Sequence, residues 1–200
     1  CEILEVSAQV MRKLSYREHP DAWLAAVDVP ACDMNSFVAC LGAVVEPPLL
    51  VMVEGVEKPG NIGAMLRSAD AAGAHGMILA DARTDPGNAN VVRASKSAVF
   101  SLPVWVCTAA EAVAYIRAQG MTILAAAPSA RVSCWEVDLR GPVVVAVGEE
   151  KQGLSEFLMK EADQQVLIPM YGRVNSLNVA QAATLLLYEA RRQRFPVGAM

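Results

Sequence analysis

Short apolar runs spaced between helical stretches constrain this chain more than any other feature. Leu49–Glu54, residues 77–80, Val104–Cys107, residues 121–126, Val143–Val147 and residues 166–168 are each nearly continuous in Val, Leu, Ile, Met and Ala. A strand with one face in water alternates apolar and polar residues, whereas a strand buried on both faces does not. The runs are therefore predicted to be strands covered on both sides. Helices are predicted over residues 61–72, 108–119, 155–162 and 177–194. Thr108-Ala-Ala-Glu111 reads as a capping box that opens the second of these. Residues 81–90, rich in Asp, Pro, Gly and Asn, read as a loop. The pattern predicts an α/β fold, a mostly parallel sheet with helices on both faces.

Hydrophobic residues make up 54% of the 200, so a core is easily filled. No apolar run approaches the roughly 18–20 residues that span a bilayer, so no membrane partner is expected. The five cysteines, Cys1, Cys32, Cys40, Cys107 and Cys134, are scattered and form no C-x-x-C. His19 and His75 have no ligand-like spacing, so reduced thiols in a cytoplasmic protein are expected, with no metal. The net charge of −4 gives no overall pull towards nucleic acid. Arg12, Lys13 and Arg17, and Arg191, Arg192 and Arg194, are local exceptions that helix ends or a solvated face can explain.

Residues 1–45 differ from the rest. Residues 2–6 and 23–29 are predicted strands, with a helix over 7–14 between them and another over 33–41, and Glu46-Pro47-Pro48 reads as a junction. So short a segment buries little core of its own. It is expected to be part of a small α/β domain, with residues 46–200 forming the main domain.

Three strand ends run into polar, glycine-containing loops. After the strand ending at Glu54, Gly55, Gly60, Asn61 and Gly63 open a helix that carries Arg67 six positions on. It is neither a Walker phosphate loop nor a dinucleotide fingerprint, because Asn61-Ile62 replaces Lys-Ser/Thr and no G-x-G-x-x-G occurs. After Val147 come Gly148, Glu149 and Gly153, then a cap at Ser155. After Ile168 come Pro169, Met170 and Gly172, then Asn175, Ser176 and Asn178 before a long helix. Taken singly, each stretch can be a capped helix or an acidic turn. Together they lie at one edge of a parallel sheet, where such folds bind ligands.

The long helix carries Val179, Ala182, Ala183, Leu186, Leu187 and Ala190 on one face, with Leu185 and Tyr188 at its side. So broad an apolar surface either sits deep in the monomer or packs on a partner subunit; the second is favoured here.

Asn61-x-Gly63-x-x-x-Arg67-x-Ala69-x-x-x-Gly73, Gly148-Glu149-x-x-x-Gly153-Leu154-Ser155 and Ile168-Pro-Met-x-Gly172-x-x-x-Ser176-Leu-Asn178-Val resemble the three ordered motifs of the SpoU/TrmH family. These are S-adenosylmethionine-dependent RNA ribose 2′-O-methyltransferases of the SPOUT class. Arg93-x-Ser95…Phe100-x-Leu-Pro103 also resembles the family, with Ser97 where glycine is common and Ala180 where many members carry Ser. The stretch from Leu14 to Pro20 resembles, more weakly, the end of the ribosomal-protein-like substrate-binding domain of rRNA-modifying members, which implies that residues 1–45 are part of an RNA substrate-binding domain and linker. The resemblance implies a C-terminal deep trefoil knot, a homodimer and an RNA substrate, with rRNA favoured over tRNA. It implies Arg67, Asn61, Glu149, Ser176 and Asn178 at the chemistry. It also implies Ala126, Gly148, Ile168, Met170 and Leu177 around S-adenosylmethionine. A redox or nucleotide-binding α/β enzyme, and a non-catalytic RNA-binding homologue, are the competing readings.

Overall fold

The computed structural model describes residues 2–15 and 19–195. Helices α1 (Ala8–Leu14) and α2 (Met34–Leu41) precede β1 (Leu49–Glu54) and α3 (Pro59–Ala71). Strand β2 (Gly76–Ala80) is followed by α4 (Ala89–Ser95), α5 (Ala98–Ser101) and β3 (Val104–Cys107). Then come α6 (Ala109–Ala118), β4 (Thr122–Ala126), the two-residue β5 (Val132–Ser133) and β6 (Val143–Val147). Helix α7 (Glu156–Glu161), β7 (Gln164–Leu167) and α8 (Val179–Arg194) complete the chain.

The seven strands form one sheet in the order β3-β2-β1-β6-β4-β7-β5. Every pairing is parallel, with Val51 opposite Met77 on one side and Val145 on the other. From β1 the chain winds outward through β2 and β3. It then crosses to β4, and β6 returns between β4 and β1. The winding therefore reverses between β1 and β6, and a crevice opens at their carboxyl ends.

Continuous apolar strands are explained by two cores. Leu49, Val51 and Val53 point to one face, where they meet Ile62 and Leu66 of α3, Val91 of α4, Val99 of α5 and Ala183, Leu186 and Leu187 of α8. Leu50 and Met52 point to the other, against Phe37 of α2, Ile116 of α6 and Leu158 of α7. Each fully buried side chain of this kind contributes about 1.5–3 kcal/mol relative to exposure. Helix α3 comes unusually close to α4. A Cβ on Gly63 would lie 2.5 Å from Ala94 Cβ and 2.7 Å from the Val91 carbonyl oxygen. The open space that Gly63 offers is filled by another helix, not by a ligand.

Predicted strands and helices of the main domain recur with ends shifted by one or two residues. The Thr108–Glu111 capping box is present in full. Residues 81–90 are largely irregular, but α4 begins within them, and α4, α5 and β5 were not anticipated. Residues 2–6 and 23–29 are not strands. Ile3, Leu4 and Trp23 are more than 70% exposed, and none of the sheet's seven strands comes from these stretches. Helix α2 lies before the expected boundary at residue 45, yet Phe37 is buried among Trp105 and Tyr115 of the main domain. The apolar face of α8 fills the monomer's own core, leaving Leu185 and Tyr188 partly exposed. No helix among the described residues is long and apolar enough to cross a membrane.

Candidate functional site

Three loops at the carboxyl edge of the sheet meet through side chains. The first leaves β1 through Gly55, whose φ of 65° suits glycine, and enters α3 at Pro59. Asn61 lies in the first turn of that helix.

The second loop leaves β6 at Gly148. Glu149 and Gly153 pair backbone to backbone, with N–H to O distances of 3.1 and 2.8 Å, closing a tight turn. A Cβ on Gly148 would fall 2.1 Å from the Gly153 carbonyl carbon, so the turn closes only over glycine. Its exit is anchored to the sheet. The Ser155 N–H donates to Glu54 Oε2 at 2.7 Å, and Glu54 is a buried carboxylate at the end of β1. Ser155 itself caps α7 by accepting from the Leu158 N–H.

The third loop runs from Ile168 to Asn178, the N-cap of α8. Asn178 Oδ1 accepts from the Ala180 N–H at 2.9 Å. This fixes the amide and leaves Nδ2 to donate outward. It donates to Glu150 Oε1 at 2.7 Å and to Asn61 Oδ1 at 3.3 Å. Asn61 Nδ2 donates to the same Glu150 oxygen at 2.9 Å, and Lys58 Nζ donates to Glu150 Oε2. The Lys58 ammonium, then the Asn61 amide, hold the Glu150 carboxyl below the usual carboxylate range.

The acid in this cluster is Glu150, where the sequence reading chose Glu149. Glu149 pairs with Gly153 through its backbone, and it is the Glu150 carboxylate that reaches Asn61 and Asn178. Two acids follow Gly148, and contacts to residues distant in sequence distinguish them, so the spacing gave no way to choose. Lys58 and Glu54 were missed as well. A lysine at a helix entrance and an acid at a strand end carry no sequence signature.

A cleft of about 530 Å³ opens beside the cluster. Ala126, Gly148, Ile168, Met170 and Leu177 all line it, as do Ser176, Glu149 and Glu150. Its volume falls in the range of about 300–1,000 Å³ usual for small-molecule sites. Ala126, Ile168, Met170 and Leu177 give it apolar walls, and Glu149, Glu150 and Lys151 give it a charged side. Arg67 lies elsewhere. Six residues on from Asn61 in α3, it sits about 120° around the helix from it. It is exposed, and it has no hydrogen-bond or ion-pair partner among the described residues. The structure thus joins Asn61, Glu150 and Asn178 directly, places Ser176 in the cleft wall and leaves Arg67 free.

Comparison with known proteins agrees with this architecture. The model of the SpoU rRNA Methylase family matches residues 48–188. A 23S rRNA (uridine(2479)-2′-O)-methyltransferase of Streptomyces viridochromogenes is 38% identical over 183 residues, covering 88% of this chain and 62% of that protein. A tRNA (guanosine(18)-2′-O)-methyltransferase of Escherichia coli is 40% identical, covering 76% of this chain and 67% of that protein. The crystal structure of the SpoU methyltransferase AviRb from Streptomyces viridochromogenes, in complex with the cofactor AdoMet, is similar with a TM-score of 0.75. The two are 35% identical, over 82% of this chain and 66% of that one. This chain spans about three fifths of the length of the first two curated relatives it matches. By sequence motif, sheet topology and family match alike, the chain belongs to the SpoU rRNA Methylase family.

Proposed function

We propose that this chain is the catalytic part of an S-adenosylmethionine-dependent methyltransferase that modifies a ribose 2′-hydroxyl of RNA, with rRNA as the substrate. The observation that carries the reading is the Asn61–Glu150–Asn178 cluster at the rim of the cleft that Ala126, Gly148, Ile168, Met170 and Leu177 line. The residues fit the cofactor. The apolar walls suit an adenine ring, and the polar and charged residues beside them suit the ribose and amino-acid parts. When bound, S-adenosylmethionine supplies an electrophilic methyl group.

The protein's own residues then have separable tasks. Glu150 fixes the amides of Asn61 and Asn178, which come from two helices distant in sequence, so both are in place before substrate arrives. Most of the acceleration comes from such positioning. Arg67 offers an unpaired guanidinium for the phosphate beside the target ribose. Arginine stays protonated at any working pH, so its role is charge stabilisation and orientation of the 2′-hydroxyl. Ser176 supplies a hydroxyl in the cleft wall.

The family likeness further implies a C-terminal trefoil knot and a homodimer. Leu185 and Tyr188, exposed along α8, are the apolar side chains of that helix left for a partner copy. The alignment with the 23S rRNA relative covers 88% of this chain and so reaches into residues 1–45, which supports a substrate-binding role for that segment and an rRNA target. The likeness to the E. coli tRNA enzyme favours a second reading, tRNA as substrate. Calorimetry with S-adenosylmethionine, followed by methyl incorporation into unmodified rRNA and tRNA, tests these readings. Incorporation into tRNA alone reverses the substrate assignment. Failure to bind S-adenosylmethionine removes the methyltransferase reading.

A further inference from the structure

Lys58 stands where helix physics does not want it. It is the N-cap residue of α3, and its side chain makes no capping bond. N-caps favour Ser, Thr, Asp or Asn, and the positive end of the helix dipole disfavours a cation there. Pro59 at the next position already satisfies the helix start. The lysine is committed instead to Glu150, 92 residues further on, with its own side chain 70% exposed and that of Glu150 28%.

The carboxylate divides its two oxygens between tasks. Oε1 accepts from Asn61 Nδ2 and Asn178 Nδ2, and Oε2 accepts from Lys58 Nζ. The ionised carboxylate accepts from all three donors most strongly, because protonation adds an O–H donor and removes the charge that assists these bonds. Among the described residues every other hydrogen bond to Glu150 comes from a neutral amide, so Lys58 is the charged partner in the cluster. We infer that Lys58 is a positioning residue of this site, holding Glu150 ionised and turned so that one oxygen organises both asparagines. The lowered titration of the Glu150 carboxyl, with the Lys58 contact as its largest cause, accords with this role. The kinetic consequence rests on the methyltransferase reading proposed above.

The test compares wild type with Lys58→Met and Lys58→Arg. The Glu150 carboxyl is followed directly by carbon-detected NMR titration, and methyl transfer is measured as a pH profile with separate kcat and KM. Activity that needs ionised Glu150 is present above its folded titration point and is lost as pH falls through that point. Lys58→Met is expected to raise the titration point and move the acid limb of kcat to higher pH by the same interval. At neutral pH the fall in kcat should be about two- to fivefold, the size of an exposed ion pair, with KM for RNA unchanged. Lys58→Arg, which keeps the charge, is expected to restore both readouts. An unmoved Glu150 titration in Lys58→Met overturns the inference. So does a loss confined to KM for RNA, which would make Lys58 a phosphate contact. If the wild type transfers no methyl group, the methyltransferase reading falls, and the NMR titration still decides whether Lys58 governs Glu150.

Discussion

Glu150 Oε1 accepts a hydrogen bond from Asn178 Nδ2 at 2.7 Å while also accepting one from Asn61 Nδ2 at 2.9 Å. One carboxylate oxygen thereby ties the β6–α7 loop to the entrances of α3 and α8.

This relationship separates two adjacent acids. Glu150→Ala frees both amides, and misplacement of that order costs about 100-fold in rate, so kcat for methyl transfer should fall by about that factor. Glu149→Ala, which keeps the backbone pairing with Gly153, should stay within a few fold of wild type. The reverse ranking would return the role to Glu149.

Gly148→Ala should be damaging out of proportion to its size. The added carbon meets Gly153 backbone at 2.1 Å, and backbone cannot step aside as a flexible side chain can. Overpacking of this kind costs about 1–3 kcal/mol. Because the strain lies in the loop that lines the cleft, calorimetry should show weaker S-adenosylmethionine binding as well as a lower urea midpoint. Wild-type values for both would contradict the described turn.

The α4–α5 junction holds an opposite opportunity. Lys96 and Ser97 follow one another with φ of 52° and 77°, in the left-handed region where a Cβ is strained by roughly 1–2 kcal/mol. Ser97→Gly removes that strain but adds unfolded-state entropy, leaving a net gain of about 0.5–1 kcal/mol. Urea denaturation should show the gain, and a loss would argue against the backbone conformation at this junction.

Asp163 carries a pH-dependent part of stability. Burial pushes its carboxyl up, but the Ile123 N–H at 2.7 Å and Arg117 outweigh this and leave it lowered. A lowered carboxylate stabilises the fold above its unfolded titration range, and the contribution disappears as pH falls through the folded value. Asp163→Asn keeps an oxygen that can accept from the Ile123 N–H but removes the charge that strengthens this bond and the pair with Arg117, so it should cost about 0.5–1 kcal/mol at neutral pH, a modest sum because the pair is well exposed. The gap from wild type should close below about pH 3, following the ordinary carboxylate range. A gap that persists in acid would mean a packing effect instead.

Strands such as Val143–Val147 were legible because burial on both faces removes polar alternation, and the Thr108 capping box was legible because its bonds are local. The N-terminal stretches were misread. Val and Leu at residues 2–6 and 23–29 have strand propensity, yet a strand needs an edge to pair with, and sequence does not show edges. Helix α8 was read as a partner surface although β1 and α3 of its own chain cover its apolar face. At the site, Asn61, Ser176 and Asn178 stand in the motifs that carry the resemblance, and Ala126, Gly148, Ile168, Met170 and Leu177, which the resemblance implies, line the cleft. Glu150 could not be told from Glu149, and Lys58 and Glu54 were invisible, because their importance lies in contacts spanning 92 and 101 residues.

The central claim is tested most directly by incubating the protein with methyl-labelled S-adenosylmethionine and unmodified rRNA, then digesting the RNA to nucleosides. Label in a 2′-O-methylnucleoside is predicted for wild type. Arg67→Ala should abolish it while still binding S-adenosylmethionine and shifting stability by no more than about 0.5 kcal/mol, as expected for an exposed, unpaired side chain. Label in a methylated base, or undiminished ribose methylation by Arg67→Ala, would contradict the account.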